Sequence, residues 1–599
     1  ILDGQTATLD FAMTNTIVQL DEVVTTATGE QRRAEVGNAV DNISISKLTE
    51  TAPVRTISDV LNARSPGVFV QEGTQTGSGQ RIRVRGIASV SLSNEPIFII
   101  DGIRMSSNNG STTFGNGGND FSRLGDISPE DIENIEIVKG PSAATLYGTD
   151  AANGVVMITT KKGRGGASHW NTYLEGGMLD DRNWYADNYT LAGMNPTTKA
   201  KLVLSGQCNL VMVSLGTCVK SDGTHGYDSL RVYSPIKDAS VTPLGYGYRN
   251  AEGAQVSGGT DAIRYFLSGG RDDETGVFEL DPYEKHRFDS LGIALHDWQR
   301  RPNTRLLNSF RANVSAAVTP QFDADVNFGY STINALTSNE SNNTVGIGSQ
   351  AFGGPGYRNN GLVSGLSDSL VGYRAGTPGL IWQEKLQQNV NRMIGSANLN
   401  WRPTSWLQTR ANFGSDLTDR VDTRLHMNGE GWPLTATYRD GFAGSGRTNI
   451  TNLSADLGAT ANYNPGAFHW LNLKTTLGTQ YNNSRLDQNE ADGTTLPPGA
   501  TTAGQGSTPF ANEAFTIQKT WGTFIEESGA IRDRLFLTGA VRSDQNSAFG
   551  TKFQRVFYPK GSVSWMISDE DFFPRNNVFS AINSLHLRVA LGSSGVQPG

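Results

Sequence analysis

Apolar and polar side chains alternate in long runs from about residue 168 onward. In one run Phe322, Ala324 and Val326 alternate with Asp323 and Asp325. A period of two places successive side chains on opposite faces of a β-strand. Most runs reach roughly the 9–11 residues that a tilted strand needs to cross a bilayer. The pattern predicts about thirteen strands, near 168–178, 253–259, 262–270, 305–318, 322–331, 392–402, 405–416, 448–463, 470–482, 516–530, 534–543, 557–567 and 585–594.

The connections between these runs are of two alternating kinds. Tight turns are predicted at 259–261, 319–321, 402–404 and 532–533. Long polar segments are predicted at 179–253, 271–304, 332–391, 418–447 and 484–515. Short turns at one end and long loops at the other are typical of an outer-membrane β-barrel. A soluble β-sandwich is the alternative, but its strands are usually shorter and its connections are not sorted by length.

The predicted strand number is odd, whereas a single-chain bacterial barrel needs an even number. An open sheet edge inside hydrocarbon would leave backbone groups unpaired, which is costly. We therefore expect the chain to be a fragment, or the ordered part, of a longer protein.

The preceding residues, from about 29 to 162, have the pattern of a small mixed α/β domain. Residues 57–62 predict a short helix with a polar cap, and 96–102 predict a buried strand that ends in an Asp-Gly turn. Residues 81–86 alternate basic and apolar side chains, so one face of that strand carries three arginines. Residues 154–163 predict a closing strand.

The amino-acid composition excludes two further classes of protein. The 599 residues include 50 Lys+Arg and 58 Asp+Glu, a net charge of 50 − 58 = −8, and 69 glycines. A nucleic-acid-binding protein would need clustered basic residues, and a helical membrane protein would need apolar runs of about 18 residues. The sequence shows neither feature. Few charges and 37% hydrophobic residues fit strands with one lipid-facing and one wet face.

Catalytic signals are not found in the sequence. The seven histidines are scattered without metal-binding spacing, and there is no phosphate-binding loop or nucleophile elbow. We therefore predict no enzyme activity, no cofactor and no metal site. Calcium binding by the loop acids 272–274 is an alternative that the sequence leaves open.

Two cysteines, Cys208 and Cys218, lie ten residues apart in a polar segment. In an oxidising compartment they could form a local disulfide worth roughly 2–3 kcal/mol. Two free thiols are the alternative, and two cysteines without further ligands make a poor zinc site.

Several motifs resemble a known family. The run 131–148, its continuation 151–163, and the shorter motifs 83–86 and 100–102 closely resemble the plug of TonB-dependent outer-membrane transporters. The ending of the run, Ala-Ala-Asn-Gly followed by Thr-Thr-Lys-Lys-Gly, is similar to the SusC/RagA branch. Similar matches to this branch occur at 257–259, 264–270, 587–588 and 596–599.

The resemblance implies a transmembrane β-barrel of 22 strands with an N-terminal mixed α/β plug, of which nine strands would be absent here. It implies the cell outer membrane of a Gram-negative bacterium, contact with outer-membrane lipid, the partners TonB and a SusD-like surface lipoprotein, and no nucleic acid. The expected parts are the end of a preceding β-sandwich (1–18), a TonB-box segment (19–28), the plug (29–166) and the first part of the barrel (167–599).

One short segment looks like the TonB box, which couples the receptor to TonB. Its residues are Leu20, Asp21, Glu22, Val23, Val24 and Thr25. An extended segment of this kind could add a strand to the edge of a sheet in TonB, with affinity from main-chain hydrogen bonds. The alternative is that Val23 and Val24 belong to the last strand of the preceding domain.

The resemblance also implies polar pairing between plug and barrel wall. The candidate latch consists of Arg81, Arg83 and Arg85, with Glu133 and Glu136 as possible partners. Unpaired arginines inside a lumen would be costly, so each needs a partner. The alternative is ordinary solvated salt bridges within the plug.

A Gly/Asn-rich plug loop from Met105 to Phe121 is expected to meet substrate. Its candidate contacts are Asn108, Asn109, Phe114, Asn116, Asn119 and Asp120. Amides with an aromatic ring suit sugar or peptide recognition, while a flexible linker would have the same composition.

These features predict TonB-dependent import of oligosaccharides, peptides or similar small-molecule or oligomeric nutrients. The alternatives are a siderophore or cobalamin receptor, and a surface adhesin or structural barrel.

Overall fold

The computed structural model describes residues 23–26, 29–38, 40–49, 54–62, 64–71, 73, 75–87, 90, 94–106, 121, 123–140, 147–203, 206–339, 344–358, 370–430, 439–466, 468–547, 555–574, 582 and 584–593. Its elements form a small N-terminal hairpin, a plug and one large antiparallel sheet.

The N-terminal hairpin and the plug contain the first nine strands. They are β1 (Val23–Thr26), β2 (Gly29–Arg32), β3 (Val40–Ser44), β4 (Val68–Gln71), β5 (Arg81–Val84), β6 (Ile97–Ile100), β7 (Ile103–Met105), β8 (Ile132–Val138) and β9 (Val155–Thr160). The order β3-β8-β9-β6-β7 forms the plug sheet, and β4 pairs with β5. Two helices, α1 (Ile45–Thr49) and α2 (Ile57–Leu61), and three 3₁₀ turns, at Arg123–Asp126, Pro129–Asp131 and Thr149–Asn153, complete the plug.

Local sequence explains two of these elements. Helix α2 begins with a reciprocal capping box, in which Thr56 and Asp59 each accept a hydrogen bond from the other's backbone N–H. The β6–β7 hairpin turns at Asp101 and Gly102, whose φ angles of 46° and 85° suit an Asp-Gly turn. The predicted capped helix and Asp-Gly turn are both present.

The plug has a dry core of its own. Ile45, Leu61, Ile100, Ile132 and Ile135 are fully buried in one apolar cluster. One barrel residue, Ile394, belongs to the same cluster, so plug and barrel share part of their apolar packing.

The large sheet contains thirteen strands, and the small loop sheet beside it contains three. In chain order they are β10 (Gly166–Leu179), β11 (Asn188–Met194), β12 (Lys201–Leu202), β13 (Ser229–Tyr233), β14 (Gly247–Gly259), β15 (Ile263–Thr275), β16 (Thr304–Thr319), β17 (Phe322–Thr337), β18 (Lys385–Trp401), β19 (Leu407–His426), β20 (Phe442–Tyr463), β21 (Leu471–Thr494), β22 (Thr508–Ile531), β23 (Leu535–Asn546), β24 (Val556–Met566) and β25 (His586–Gly592). The large sheet runs β10-β14-β15 and then in sequence order to β25, each strand antiparallel to the next. The predicted barrel class and strand number are confirmed.

Several strands extend further toward the long loops than predicted. Strand β21 continues to Thr494 and β22 begins at Thr508, so much of the predicted loop 484–515 is a paired ladder. The same correction applies to parts of the predicted loops 418–447 and 332–391, because β19 reaches His426 and β18 begins at Lys385. Beyond the bilayer both faces of a strand can be wet, so the backbone pairing persists after the apolar period has ended.

Exposed aromatic side chains lie at two heights on the outward face of the large sheet. Trp401, Trp406 and Trp470 are exposed near the short turns, and Tyr481 and Trp521 pair across β21 and β22 further up. Ten residues separate Leu471 from Tyr481, which corresponds to about 25 Å for a strand tilted by about 40°. That height matches the apolar band of an outer-membrane barrel, with aromatic girdles at its borders.

The helices lie in the long connections. They are α3 (Leu210–Ser214), α4 (Pro282–Ser290), α5 (Asp297–Arg300), α6 (Ile347–Phe352) and α7 (Pro378–Ile381). Two 3₁₀ turns occur at Ala503–Gln505 and Ile567–Asp569. No helix within the described ranges has the length and apolar character that crossing a membrane requires.

Three long loops pack together around an apolar core at the long-loop end. Val241, Leu280 and Trp382, one from each loop, are buried in the same cluster. The tyrosine hydroxyl of Tyr373 donates to the carbonyl oxygen of Val241 at 2.8 Å. These loops therefore form a structured cap.

The cap contains a buried carboxylate, Asp281, which caps α4. Its Oδ1 accepts from the Glu284 backbone N–H at 2.8 Å, whereas Oδ2 has no hydrogen-bond partner among the described residues. Burial raises the pKa of Asp281 to about 7, and the neighbouring Glu284 carboxylate contributes in the same direction. A raised carboxyl pKa means that stability is lost as the pH rises from the unfolded pKa toward the folded one.

We expect Asp281→Asn to stabilise the cap, and to do so more at pH 8 than at pH 4.5. Asparagine keeps the capping oxygen but carries no charge to bury. The measurement is the rate of proteolysis within 277–303 as a function of pH. Asp297→Asn, at an exposed position of the same loop, is the control and should leave the rate unchanged. Equal effects of Asp281→Asn at both pH values would contradict the prediction.

Cys208 and Cys218 are joined in a disulfide, with their Cα atoms 5.7 Å apart. Both side chains are buried beside Leu191 of β11, so the bond closes the small loop sheet around its own core. Closure of a loop of this length is worth about 3 kcal/mol.

Replacing both cysteines by serine is expected to increase local opening of the 188–233 loop roughly a hundredfold, which is the equivalent of about 3 kcal/mol. Limited proteolysis of the two proteins, followed by mass spectrometry of the cut sites, measures this change. The barrel should remain resistant to heat and detergent in both. If the loop were cut at the same rate in both proteins, the disulfide would have no stabilising role.

Candidate functional site at the plug–barrel interface

The predicted coupling segment lies only partly within the described residues. Leu20, Asp21 and Glu22 lie outside them, and Val23 to Thr25 lie in β1. Strand β1 pairs with β2, from Val23 opposite Arg32 to Thr26 opposite Gly29. The described part of the segment is therefore extended and paired in a local hairpin.

The residues that follow this hairpin are attached to the barrel at its short-turn end. The Arg32 guanidinium lies 3.0 Å from the Asp533 carboxylate in the turn between β22 and β23. The Ser564 hydroxyl donates to the Ala34 carbonyl oxygen at 2.5 Å. Since both contacts lie near short turns, the chain enters the plug from that end of the barrel.

The predicted arginine latch is not the arrangement that the structure shows. Strand β5 ends at Val84, and Arg85 adopts a left-handed φ of 61°, so the three arginines do not continue along one strand. Arg83 lies 3.5 Å from Glu95, another plug residue. Burial raises the pKa of Glu95, and Arg83 offsets only part of that effect. The short alternation of residue types did not reveal this change of backbone conformation.

The predicted partners Glu133 and Glu136 both lie in β8. Glu133 is 3.9 Å from Arg164, and Glu136 is buried in β8 opposite Asn42 of β3. The ion pairs of Arg83 and Glu133 thus both join residues within the first 166 of the chain. The pairing of plug and barrel wall is made by other residues.

Two buried arginines on the barrel wall contact carboxylates of the plug. Arg311 of β16 lies 3.5 Å from Asp101 and 3.6 Å from Asp131. Asp131 also accepts from the Ser268 hydroxyl of β15 at 2.5 Å. The charges are therefore reversed with respect to the prediction, since the cations lie on the wall and the anions on the plug.

Arg392 of β18 is the centre of the second contact. Its guanidinium donates to both oxygens of Asp416 on β19, at 2.9 and 2.8 Å, and to Asp126 of the plug at 3.2 Å. It also donates to the carbonyl oxygens of Arg123 and Ser106, at 2.7 and 2.9 Å. The Ser106 N–H donates to Asp416 at 2.7 Å. Arg392, Asp126 and Asp416 are all almost completely buried.

This arrangement satisfies Arg392 fully and fixes two plug segments to one point of the wall. A buried ion pair becomes strongly unfavourable when one partner is removed, because the other is left buried and charged. It is also directional, so it holds one seated position of the plug. Sequence reasoning missed Arg392 and Asp416. The signal for them in the sequence was a charged residue at a lumen-facing position of a strand with alternating apolar and polar residues.

Weaker polar contacts surround these two arginines. Lys162 lies 2.9 Å from Asp325 of β17, and Asn313 of β16 donates to Thr160 and to the Lys161 carbonyl oxygen at 2.8 Å each. The interface is thus largely polar. Such an interface is expected to separate under force with less exposure of apolar surface than a packed core would give.

The six predicted substrate contacts in the plug loop, from Asn108 to Asp120, lie outside the described residues. The last described residue before them is Ser106, which Arg392 and Asp416 hold. Among the residues that are described, no group of three His, Cys, Asp or Glu side chains is placed to hold a metal ion.

Comparison with known proteins agrees with this geometry. Residues 32–155 match the sequence model of the family described as TonB-dependent Receptor Plug Domain. The chain is 26% identical over 596 residues to the TonB-dependent receptor P26 of Formosa agariphila, across 96% of this chain and 53% of that protein. It is 36% identical over 149 residues to the TonB-dependent receptor SusC of Bacteroides thetaiotaomicron, across 24% of this chain and 14% of SusC.

Among solved structures, the RagAB peptide importer in its open-open state superposes with a TM-score of 0.65 at 18% identity, across 92% of this chain and 59% of that one. Together these matches support a SusC/RagA-type TonB-dependent receptor. It spans about half the length of the first of these relatives, P26. Arg311 and Arg392 are thus residues of the barrel wall that contact carboxylates of the plug.

Proposed function

We propose that this receptor imports nutrients actively across the outer membrane of a Gram-negative bacterium, with energy supplied through TonB. The observation that supports this most is the polar seating of the plug on Arg311 and Arg392. A 22-stranded barrel has a wide lumen that must be closed at rest, and a seat made of directional polar contacts both closes it and can be released.

The position of the N-terminal segment supports energy coupling. Residues 29–38 leave the plug at the short-turn end, which faces the periplasm in bacterial barrels. We propose 19–28 as the coupling segment, with Leu20 to Thr25 added as a strand to TonB, followed by the plug to residue 166 and the barrel from 167. Since Val23 to Thr26 are paired with β2, binding to TonB would replace that local pairing.

The substrate class and the surface partner follow from the relatives. One relative is SusC, and a superposable structure is described as a peptide importer. We infer an oligomeric polar nutrient, a glycan or a peptide, delivered with the help of a SusD-like surface lipoprotein. The structured cap at the long-loop end would face outward, where such a partner would meet it.

Purification of the complete receptor from membranes in mild detergent tests the substrate class. We expect a surface lipoprotein and a bound glycan or peptide, both identifiable by mass spectrometry. A bound iron chelate or cobalamin would favour the other import class instead. Assembly into surface arrays without any ligand would contradict import and favour an adhesin.

A further inference from the structure

A cavity of about 700 Å³ lies between the plug and the barrel wall at the short-turn end. Lumen-facing residues of strands β15 to β21 form its wall, among them Asp323, Asn400 and Arg410. The turn of the plug hairpin β6–β7, at Asp101 and Gly102, forms part of its border. The Asn398 amide donates to the Asp101 carbonyl oxygen at 3.2 Å and joins hairpin to wall.

The lining of this cavity is mostly polar, and many of its charges are paired. Arg410 lies 3.1 Å from Asp456, Lys162 lies 2.9 Å from Asp325, and Arg402 pairs with Asp323 at 2.5 Å. Amides such as Asn400 and Asn462 also line the cavity. Paired charges and amides offer hydrogen bonds of both kinds without a strong field of one sign, which suits a hydrated polar solute.

Strand β19 of the barrel wall connects the cavity to the Arg392 network. Along the lumen face of β19, Asn412 lines the cavity, Gly414 follows, and Asp416 belongs to the Arg392 network. A methyl group at Gly414 would overlap the side chain of Ile103 and lie 2.8 Å from the Ser454 hydroxyl. Ile103 of the plug therefore fills the space that the missing glycine side chain leaves.

Two contacts between plug and wall follow one another on the long-loop side of the cavity. The first is apolar, with Ile103 against Gly414 and Ile394 of the neighbouring strand in the plug core. The second is ionic, with Arg392 and Asp416 holding Ser106. Ile103 is 1% exposed, so the described residues exclude water from this contact.

We propose that the cavity is a preformed vestibule for polar solute on the transport route, and that the contact between Ile103 and Gly414 is the constriction that closes it. This inference rests on the proposed import function. Movement of the β6–β7 hairpin away from β19 would open a path into a space that already exists. Complete unfolding of the plug would then be unnecessary for passage.

Cysteine labelling tests the constriction without requiring TonB or a known substrate. Asn400→Cys places a thiol in the vestibule, and the described part of the chain contains no other free cysteine. Intact cells that lack TonB and express the complete receptor are treated from outside with a maleimide too large for general porins. We expect no labelling of Asn400→Cys alone, and labelling when Gly414→Val, which displaces Ile103, is added.

The matched control is Gly395→Val in the Asn400→Cys background. Gly395 lies on β18, one strand from Gly414 and at similar height, but a methyl group there meets nothing closer than 3.6 Å. This control should stay unlabelled in intact cells, and all variants should be labelled once the outer membrane is permeabilised. Ile103→Ala, which removes the plug side of the contact, is the second opening variant if Gly414→Val does not assemble.

Two outcomes would overturn the proposal. One is labelling of Asn400→Cys from outside in the native background, which would mean that no constriction exists. The other is the absence of outside labelling in an assembled Gly414→Val or Ile103→Ala variant. Both results are independent of energy coupling. They would therefore disprove the constriction without testing the import function, which has its own experiment.

Discussion

Replacement of Arg392 by alanine is expected to unseat the plug from the barrel wall. The substitution leaves Asp126 and Asp416 buried without their cation and removes the donors to the Ser106 and Arg123 carbonyl oxygens. Breaking a buried pair in this way typically costs about 3–5 kcal/mol. We therefore expect the unseated population to rise by roughly two to four powers of ten.

Single-channel conductance of the complete receptor in planar bilayers measures this change directly. The wild-type receptor should remain closed, and Arg392→Ala should show frequent openings. Arg402→Ala, in the turn that follows the same strand, is the matched control, because Arg402 pairs with Asp323 at an exposed position and such pairs contribute about 0–1 kcal/mol. Closed behaviour of Arg392→Ala would show that this network does not hold the plug.

The conductance of an Arg83→Ala receptor tests the arginine of the plug in the same way. Arg83 pairs with Glu95 within the plug, so its removal should change neither closure nor conductance. An open Arg83→Ala receptor would restore the latch that the sequence predicted and would contradict the role given to the wall arginines.

The barrel could be predicted from sequence because the bilayer imposes a pattern on it. Strand ends near the short turns agree closely, as in β17, predicted from 322 and observed from Phe322, and β20, predicted and observed to end at 463. There the apolar face ends at the membrane border and the turn follows at once, so the pattern and the strand end together.

The opposite strand ends could not be predicted in the same way. Strand β22 begins at Thr508, eight residues before the predicted start at 516, with exposed side chains on both faces. Backbone pairing continues there without any contrast between lipid and water. The packing of Val241, Leu280 and Trp382 from three separate loops depends on contacts distant in sequence, which periodicity does not encode.

The sequence predicts a polar contact between plug and barrel, but it does not point to the wall arginines that the structure places there. A polar plug–barrel contact was expected, and the arginines of residues 81–85 were the visible cluster. The arginines that make the contact, Arg311 and Arg392, are isolated in sequence and are distinguished only by their lumen-facing positions. Which charged position on a wall meets the plug depends on the orientation of the plug, and that orientation is a tertiary property.

Deletion of residues 20–25 is expected to abolish energy-dependent uptake while sparing folding and ligand binding. These residues precede the anchored stretch that begins near Arg32, and they contribute no described contact to Arg311 or Arg392. The plug should therefore stay seated and the substrate surface should stay intact. The deletion removes the proposed attachment to TonB and the part of β1 that pairs with β2.

Accumulation of the co-purifying ligand, isotopically labelled, by energised cells that express either the complete receptor or the 20–25 deletion tests the central claim most directly. We expect the deletion to reduce uptake to the level of cells treated with a protonophore, with ligand binding at the surface unchanged. Undiminished uptake by a correctly assembled deletion variant would contradict TonB-coupled import through this segment.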